Sequence, residues 1–353
     1  MGAIRPMTKE VELRAEWRVH DTLRRSDKGM TFGVLMPHFG RHASPERVVE
    51  GSKLAERLGY DAIWVRDHLL WTPHEHEKGD RTFLDATISL AAAASVTEEI
   101  ILGTAVLIPI RWPLKSAKEL MSLEFIAGEG RVLAGIGAGH NADELEASGL
   151  DADQKAAIAE ETIEIWRSLF QTGKVDFKGE VFTTGNVELH PYPNAGMPIW
   201  YGGTTRASVR RSVSLCDGWL PGGTPLATFD DRLAYLRGLE AELERDPCVI
   251  GIIPRLQMGD TTEEAIDGLD VQAFATASEG SKWWKKPPGG FQTIEDLRGI
   301  VVAGDTKEIT DRVGDFDERG LDHFVVDLRG QFDRFEELLQ LFAEEVMPHF
   351  KKD

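Results

Sequence analysis

The chain has 353 residues, a length that suits two domains or one large single-core fold such as an α/β barrel. Hydrophobic residues at 42% and charged residues at 28% are globular proportions and exclude disordered and fibrous classes. Lys+Arg at 40 against Asp+Glu at 59 gives a net charge of −19, which repels phosphodiester backbones and argues against a nucleic-acid binder.

In chain order, the polar residues 1–29 come first and read as an arm, a dimer contact or a start-site extension, with no apolar core of a secretory leader. From Met30 onward one unit recurs: an apolar-striped helix, a Gly near its end, then a short β-branched or aromatic run. Arg57-Leu58-Gly59-Tyr60 feeds Asp61-Ala62-Ile63-Trp64-Val65, and Glu318-Arg319-Gly320-Leu321 feeds His323-Phe324-Val325-Val326. Gly takes the left-handed position past a helix end cheaply, so each reads as a helix stop feeding a strand. Strands are predicted at 31–36, 61–65, 101–107, 131–137, 197–201, 215–220, 249–258 and 322–328. Most are continuous apolar runs, the pattern of parallel strands buried on both faces. Helices are predicted at 45–58, 83–96, 115–127, 155–171, 205–214, 228–244, 305–319 and 332–346; in the last, Phe335, Leu338, Leu339, Phe342 and Val346 form one stripe.

Strands and helices in equal number and strict alternation predict an α/β class, (β/α)8 TIM barrel. The competing doubly wound sheet would need a dinucleotide fingerprint, and Gly135-Ile136-Gly137-Ala138-Gly139-His140 has His where the third Gly belongs. The division is an arm, 1–29, and one barrel domain, 30–353, with insertions after the fourth helix and after the seventh strand. The first insertion, 172–196, reads as a small hairpin over Val175–Phe182; the second, 259–304, carries Trp283, Trp284, Pro287, Pro288, Gly289 and Gly290 and reads as a substrate lid or a packing loop. The longest uncharged apolar run, Ile100 to Ile110, falls short of the ~20 residues that span a bilayer. Cys216 and Cys248 make no disulfide framework and no metal knuckle, so a cytoplasmic protein without a membrane partner is expected.

Barrel chemistry sits at strand C-termini. Those ends read His38-Phe39, Asp67-His68, Thr104 to Arg111, His140-Asn141, Gly202-Gly203-Thr204 and Gly222-Gly223, with no G-x-S-x-G elbow and no Walker loop. His68 is of the type that shuttles a proton, or else caps a strand end, and Asp67 has the same two readings. His74-Glu75-His76 beside His68 raises a metal site, but no ligand set completes it, so no metal is expected. Gly202-Gly203-Thr204-Thr205-Arg206 opens a helix and reads as a phosphate turn or an ordinary capped turn. The glycines at 135, 137 and 139 make room for something flat and large, or for a bend.

Four segments in this order and spacing are Gly59-Tyr-Asp-Ala-Ile-Trp-Val-Arg-Asp-His68, Leu102-Gly-Thr-Ala-Val-Leu-Ile-Pro-Ile-Arg-Trp-Pro113, Gly130-Arg-Val-Leu-Ala-Gly-Ile-Gly-Ala-Gly-His140 and Pro198-Ile-Trp-Tyr-Gly-Gly203. Together they resemble the bacterial-luciferase-like oxidoreductases, which include FMN-dependent monooxygenases and deazaflavin (F420)-dependent enzymes. The resemblance implies a reduced F420 or FMN ring across the strand C-termini. A non-proline cis peptide at Ala105–Val106 would support that ring from behind. The resemblance casts Asp67 and His68 as the catalytic pair and Gly202, Gly203 and Thr204, with Arg206, as the phosphate site. It sets His140 and Asn141 along the ring or its ribityl chain; Gly137 and Tyr201 are expected beside the cofactor too, and His38, Phe39, Trp71, Arg111, Trp283 and Trp284 are expected to meet the substrate. Arg111, Lys115, Arg206 and Arg210 could meet an anionic cofactor tail. F420-dependent hydride transfer on a small organic molecule is the favoured activity. The alternatives are an FMNH2- and O2-dependent monooxygenase served by a flavin reductase, then a metal hydrolase or a ligand-binding barrel. A homodimer through barrel helices is expected. Trp112 replaces a His common in the family, and the long second insertion keeps the substrate from being carried over.

Overall fold

The computed structural model describes residues 20–71 and 80–352. In chain order its elements are β1 (Thr31–Leu35), α1 (Pro45–Arg57), β2 (Ala62–Val65), α2 (Ala86–Ala94), β3 (Ile101–Thr104), α3 (Pro113–Ala127), β4 (Val132–Ile136), α4 (Ala142–Ala147) and α5 (Lys155–Thr172). The hairpin β5 (Lys174–Lys178) and β6 (Thr183–Glu188) follows, then β7 (Ile199–Gly202), α6 (Arg206–Leu215), β8 (Gly218–Leu220), α7 (Leu226–Glu242) and β9 (Val249–Ile252). The remainder is β10 (Arg255–Met258), α8 (Thr262–Asp267), α9 (Val271–Gly280), β11 (Val301–Gly304), α10 (Thr306–Asp317), β12 (His323–Val326) and α11 (Phe335–Glu345). Eight parallel strands close in the order β1-β2-β3-β4-β7-β8-β9-β12, and β12 returns to β1 with Phe32 opposite Phe324. The (β/α)8 barrel is the predicted architecture.

Local chemistry fixes the element ends. Ser44, Asp85 and Asp305 cap α1, α2 and α10 by accepting from the backbone N–H of Arg47, Ile88 and Glu308. Gly59 and Gly320 take positive φ (80° and 75°) where the sequence asks for helix stops. An Asp stands just before β2, β8 and β12, and each carboxylate accepts a neighbouring strand's first free N–H: Asp61 from Phe32 (2.7 Å), Asp217 from Ile199 (2.6 Å) and Asp322 from Ile250 (2.8 Å). Residues 20–29 pack across this same end, through His20 N–H to Asp217 (3.2 Å) and Arg25 N–H to Asp322 (3.1 Å). The predicted arm thus includes a stretch that covers the barrel's base; its first 19 residues lie outside the described ones.

The tube is filled by two indoles. Trp64 and Trp200 lie 5.6 Å apart, and the Trp64 N–H donates to His323 Nε2 at 2.9 Å. Bare backbone makes this possible: a Cβ on Gly33 would fall 2.5 Å from Trp64 Nε1, and one on Gly218 would fall 2.6 Å from Trp200 Cδ1.

Two departures from the sequence reading concern the second insertion. The run 249–258 is not one strand: β9 stays in the barrel, while β10 leaves to pair in parallel with β11 in a separate two-stranded sheet. Pro254 lies between them and has no N–H to continue the ladder. Nor is 259–304 a plain loop. It folds as α8, α9 and β11 around a small core of its own, with Phe274, Ala275, Phe291, Leu297, Ile300 and Val301. The first insertion is the expected hairpin, extended to Glu188, with Val175 opposite Val187. Among the described residues no helix is long and apolar enough to cross a membrane.

Candidate active site

The end of β2 delivers Arg66, Asp67 and His68 to the C-terminal mouth. Asp67 is buried and already engaged: it accepts from Ile108 N–H (3.1 Å) and from both terminal nitrogens of Arg111 (2.7 and 2.9 Å). Arg111 reaches on to Asp85, the α2 cap, at 2.7 Å. Asp67 therefore ties β2 to the loop after β3, with Arg111 as its ion-pair partner.

His68 is placed differently. Its Nδ1 lies 3.2 Å from Glu144 Oε2, on α4, and Glu144 has no exposed surface. The Leu69 and Leu70 N–H groups donate to the other oxygen of Glu144 at 2.8 and 3.1 Å. A carboxylate at Nδ1 makes that nitrogen the donor, and Nε2 lies 3.5 Å from a terminal nitrogen of Arg66. Trp71 (4.9 Å), Phe83 (5.2 Å) and His140 (6.1 Å) surround the ring. Glu144 was not anticipated; its only sequence signal is its place in the first turn after the Asn141 cap.

At the end of β3 the Ala105–Val106 peptide is cis, as expected. The bulge is held by Thr104, whose hydroxyl donates to Gly135 O (2.8 Å) and accepts from Gly135 N–H (2.9 Å). The Val106 side chain slots over two glycines: a Cβ on Gly137 would lie 2.8 Å from it, and one on Gly202 3.0 Å. The glycine run makes room for the segment after β3: Gly137 for Val106 and Gly139 for Ile108, where added Cβ atoms would lie at 2.8 and 3.1 Å.

Opposite, β7 ends in the turn Gly202-Gly203-Thr204, with Gly203 at φ 108° and Thr205 capping α6. Indole and guanidinium groups occupy the back of the turn: Trp219 Nε1 donates to Gly203 O (2.8 Å), and Arg232 Nε donates to Thr204 O (2.9 Å). Because a trans peptide sets N–H opposite C=O, the Thr204 and Thr205 amides point the other way, an anion-receiving arrangement. Trp284 of the insertion donates to Thr204 Oγ1 at 3.3 Å.

Between these sides lies a cavity of about 220 Å³, lined by Leu35, Arg66, Ala105, Val106, Gly202, Gly203, Leu220, Gly222, Gly223, Ile253 and Arg329. The predicted Ala105, Val106, Gly202 and Gly203 meet there, and His68 adjoins it, with Nε2 3.5 Å from the Arg66 guanidinium. Phe39 and Trp71 flank Arg66 on the rim, at 5.1 and 4.7 Å. Arg66 and Arg329 were missed, although each directly follows a predicted strand.

Other expectations fall away from the cavity. His38 is buried with both ring nitrogens on backbone, Nδ1 to Met36 O (2.9 Å) and Nε2 to Arg66 O (3.0 Å), and burial lowers its pKa to about 4, so it staples β1 to β2. Tyr201 faces the helix layer near Arg211, because strand alternation turns Trp200 inward; burial pushes its hydroxyl up to about 12. Asn141 spends its side-chain oxygen on the α4 cap. Arg206 pairs with Asp231 (3.2 Å) and lies over Tyr235. His140 and Trp283 are exposed on the surface. His74, Glu75 and His76 lie outside the described residues.

The profile of the luciferase-like monooxygenase family matches residues 30–323. The chain belongs to that family. It is an oxidoreductase of the luciferase-like group, as its motif order implies. An F420-dependent glucose-6-phosphate dehydrogenase of Rhodococcus erythropolis is 25% identical over 325 residues, spanning 87% of this chain and 94% of the relative. Among solved structures, an F420-dependent secondary alcohol dehydrogenase bound to an F420–acetone adduct superposes with a TM-score of 0.75 at 18% identity, over 90% of this chain and 98% of that one. The FMN-bound oxygenating component of a type II Baeyer-Villiger monooxygenase from Pseudomonas putida has a TM-score of 0.73 at 16% identity, covering 92% and 100%. This luciferase-like protein thus shares its barrel with F420 enzymes and FMN enzymes alike.

Proposed function

We propose that this luciferase-like protein is an F420-dependent oxidoreductase that moves hydride to or from a small organic substrate, with His68 handling the proton. The observation that carries the reading is the buried His68–Glu144 pair, which presents one imidazole nitrogen beside a cavity bounded by the cis bulge and the glycine turn. The cavity and the turn suit a flat ring with an anionic side chain, and the relative of known cofactor use favours F420 over FMN. When bound, F420 supplies the hydride-exchanging carbon. The chain supplies the rest: Gly203 and Thr204 seat the phosphate, Val106 backs the ring, and His68 Nε2 takes the proton from a substrate hydroxyl or returns it. Glu144 steadies the imidazolium that results. Asp67 acts at one remove, by holding the loop that carries the bulge.

Separate titrations with F420 and FMN, read by fluorescence quenching, test the reading. Saturable binding of F420 with weaker FMN binding is expected. FMN binding alone would replace it with the flavin-reductase-fed monooxygenase reaction, and no response to either would leave a barrel without this chemistry. The substrate is a small molecule. We place the protein in the cytoplasm, in keeping with Cys216 and Cys248 being buried and outside any disulfide. A homodimer is supported by Ile88, Phe125 and Ile126, apolar side chains exposed on the adjacent helices α2 and α3.

A further inference from the structure

The inserted subdomain is laced to the barrel at two places. Near its end, Thr224 N–H donates to Gly299 O (2.9 Å) and Leu226 N–H to Arg298 O (3.0 Å), at the start of α7. The tryptophan stretch is fastened separately, by Lys285 N–H to Thr228 Oγ1 (2.8 Å) and by the Lys285 ammonium to Asp231 (2.9 Å), both on α7. Arg232, buried on the same helix, donates from Nε to Thr204 O (2.9 Å) and from a terminal nitrogen to Trp283 O (2.7 Å). One guanidinium thus holds a carbonyl of the glycine turn and a carbonyl of the insertion in a fixed relation. Trp284 stands between the two bodies. Its ring lies 6.4 Å from Phe291 in the core of the insertion, and its N–H donates to Thr204 Oγ1 at 3.3 Å.

The direction of that last bond has a consequence. An indole nitrogen can only donate, so Thr204 Oγ1 is the acceptor and the hydroxyl proton must point elsewhere. A residue that both donates and accepts, such as serine or glutamine, would leave the hydroxyl free to turn either way. Among the described residues no backbone carbonyl accepts from the Thr204 or Thr205 amide. Both amides face away from the carbonyls that Trp219 and Arg232 hold. Two amides and a hydroxyl proton on one turn are donors of the kind that phosphate oxygens take up. We infer that Trp284 is a positioning residue for the cofactor: by donating to Thr204 Oγ1, it commits the threonine's proton to the phosphate seated on the turn. The inference rests on the cofactor reading above and gives the insertion a part in it. Trp284, expected from the sequence to meet the substrate, serves the anionic part of the ligand instead.

The test compares dissociation constants of F420 and of its phosphate-free deazariboflavin core in wild type, Thr204→Val, Trp284→Phe and the double variant. Thr204→Val is expected to weaken F420 about tenfold and Trp284→Phe about threefold to tenfold, with binding of the core nearly unchanged in both. The double variant should lose no more than Thr204→Val alone, because both changes act through one hydroxyl. Equal weakening of the two ligands by Trp284→Phe would make the indole a packing group. Additive losses would make it act apart from Thr204. Either result, or an unchanged F420 affinity, overturns the inference, while F420 binding by wild type leaves the cofactor assignment standing. If Trp284→Phe misfolds, Thr204→Val decides alone: a loss confined to F420 upholds the inference, and an equal loss or none overturns it. Failure of wild type to bind F420 or FMN is the distinct outcome that brings down the cofactor reading itself, and this inference with it.

Discussion

Two histidines in one barrel show how partners decide what an imidazole does. His323 sits in the floor of the tube, completely buried, with Nε2 accepting from the Trp64 indole (2.9 Å) and Nδ1 against the Thr31 hydroxyl (2.8 Å). An indole can only donate, so Nε2 must stay unprotonated, and burial lowers the ring's pKa to about 3. His68, on the rim, has a carboxylate behind it instead, at 3.2 Å. A carboxylate steadies an imidazolium, whereas an indole opposes one. The floor histidine is held neutral, and the proposed function gives the change of charge to the rim histidine.

The contrast breaks if removing His68 proves harmless. His68→Ala is expected to lower kcat and kcat/KM together by about 10²- to 10⁴-fold while the dissociation constant for F420 changes little. Glu144→Gln keeps the shape but not the charge, and a smaller loss, on the order of tenfold to a hundredfold, is expected in the same steady-state assay. A pure loss of affinity in either variant would make the rim pair a binding element.

The floor is tested by acid. The folded state depresses the pKa of His323, so between pH 6.5 and about 3 the unfolded chain binds the extra proton and stability falls as pH falls. The expected slope is about 1.4 kcal/mol per pH unit. His38 adds a similar loss down to about 4, by the same burial. Urea denaturation between pH 7 and 5 should show a shallower pH dependence in His323→Gln than in wild type; identical slopes would mean the floor takes up a proton without penalty.

The smallest effects distinguish two glycines, Gly137 beneath the cis bulge and Gly222 on the cavity wall. A Cβ on Gly137 would press 2.8 Å from Val106, a stiff β-branched side chain, so Gly137→Ala should cost about 1–3 kcal/mol and weaken F420 binding. A Cβ on Gly222 meets nothing within 4 Å, so Gly222→Ala should stay within about 0.5 kcal/mol of wild type and affect binding alone. Thermal unfolding with and without F420 separates the two.

The barrel was legible because its signals are local. Buried parallel strands read as apolar runs, and Gly59 and Gly320 stop helices wherever they occur. The second insertion was not, since β10 and β11 pair across more than 40 residues of sequence and each is only four residues long. At the site, motif order located His68, the cis bulge and the glycine turn. It could not say which polar groups were already taken: Asp67 by Arg111, His38 by backbone, Tyr201 by the pleat. Nor could it bring Glu144 to His68, a contact 76 residues apart in the chain that depends on the way α4 folds back over the mouth.

The indoles in the tube also limit how the molecule can change. Trp64 and Trp200 occupy volume that Gly33, Gly103, Gly218 and Gly251 vacate on neighbouring strands. Enlarging one of those glycines demands a smaller ring partner at the same moment, and shrinking a ring alone leaves a void beneath the cofactor seat. Lineages exploring new substrates are thereby steered to the rim and the inserted subdomain, where single replacements can be tried one at a time over an unyielding base.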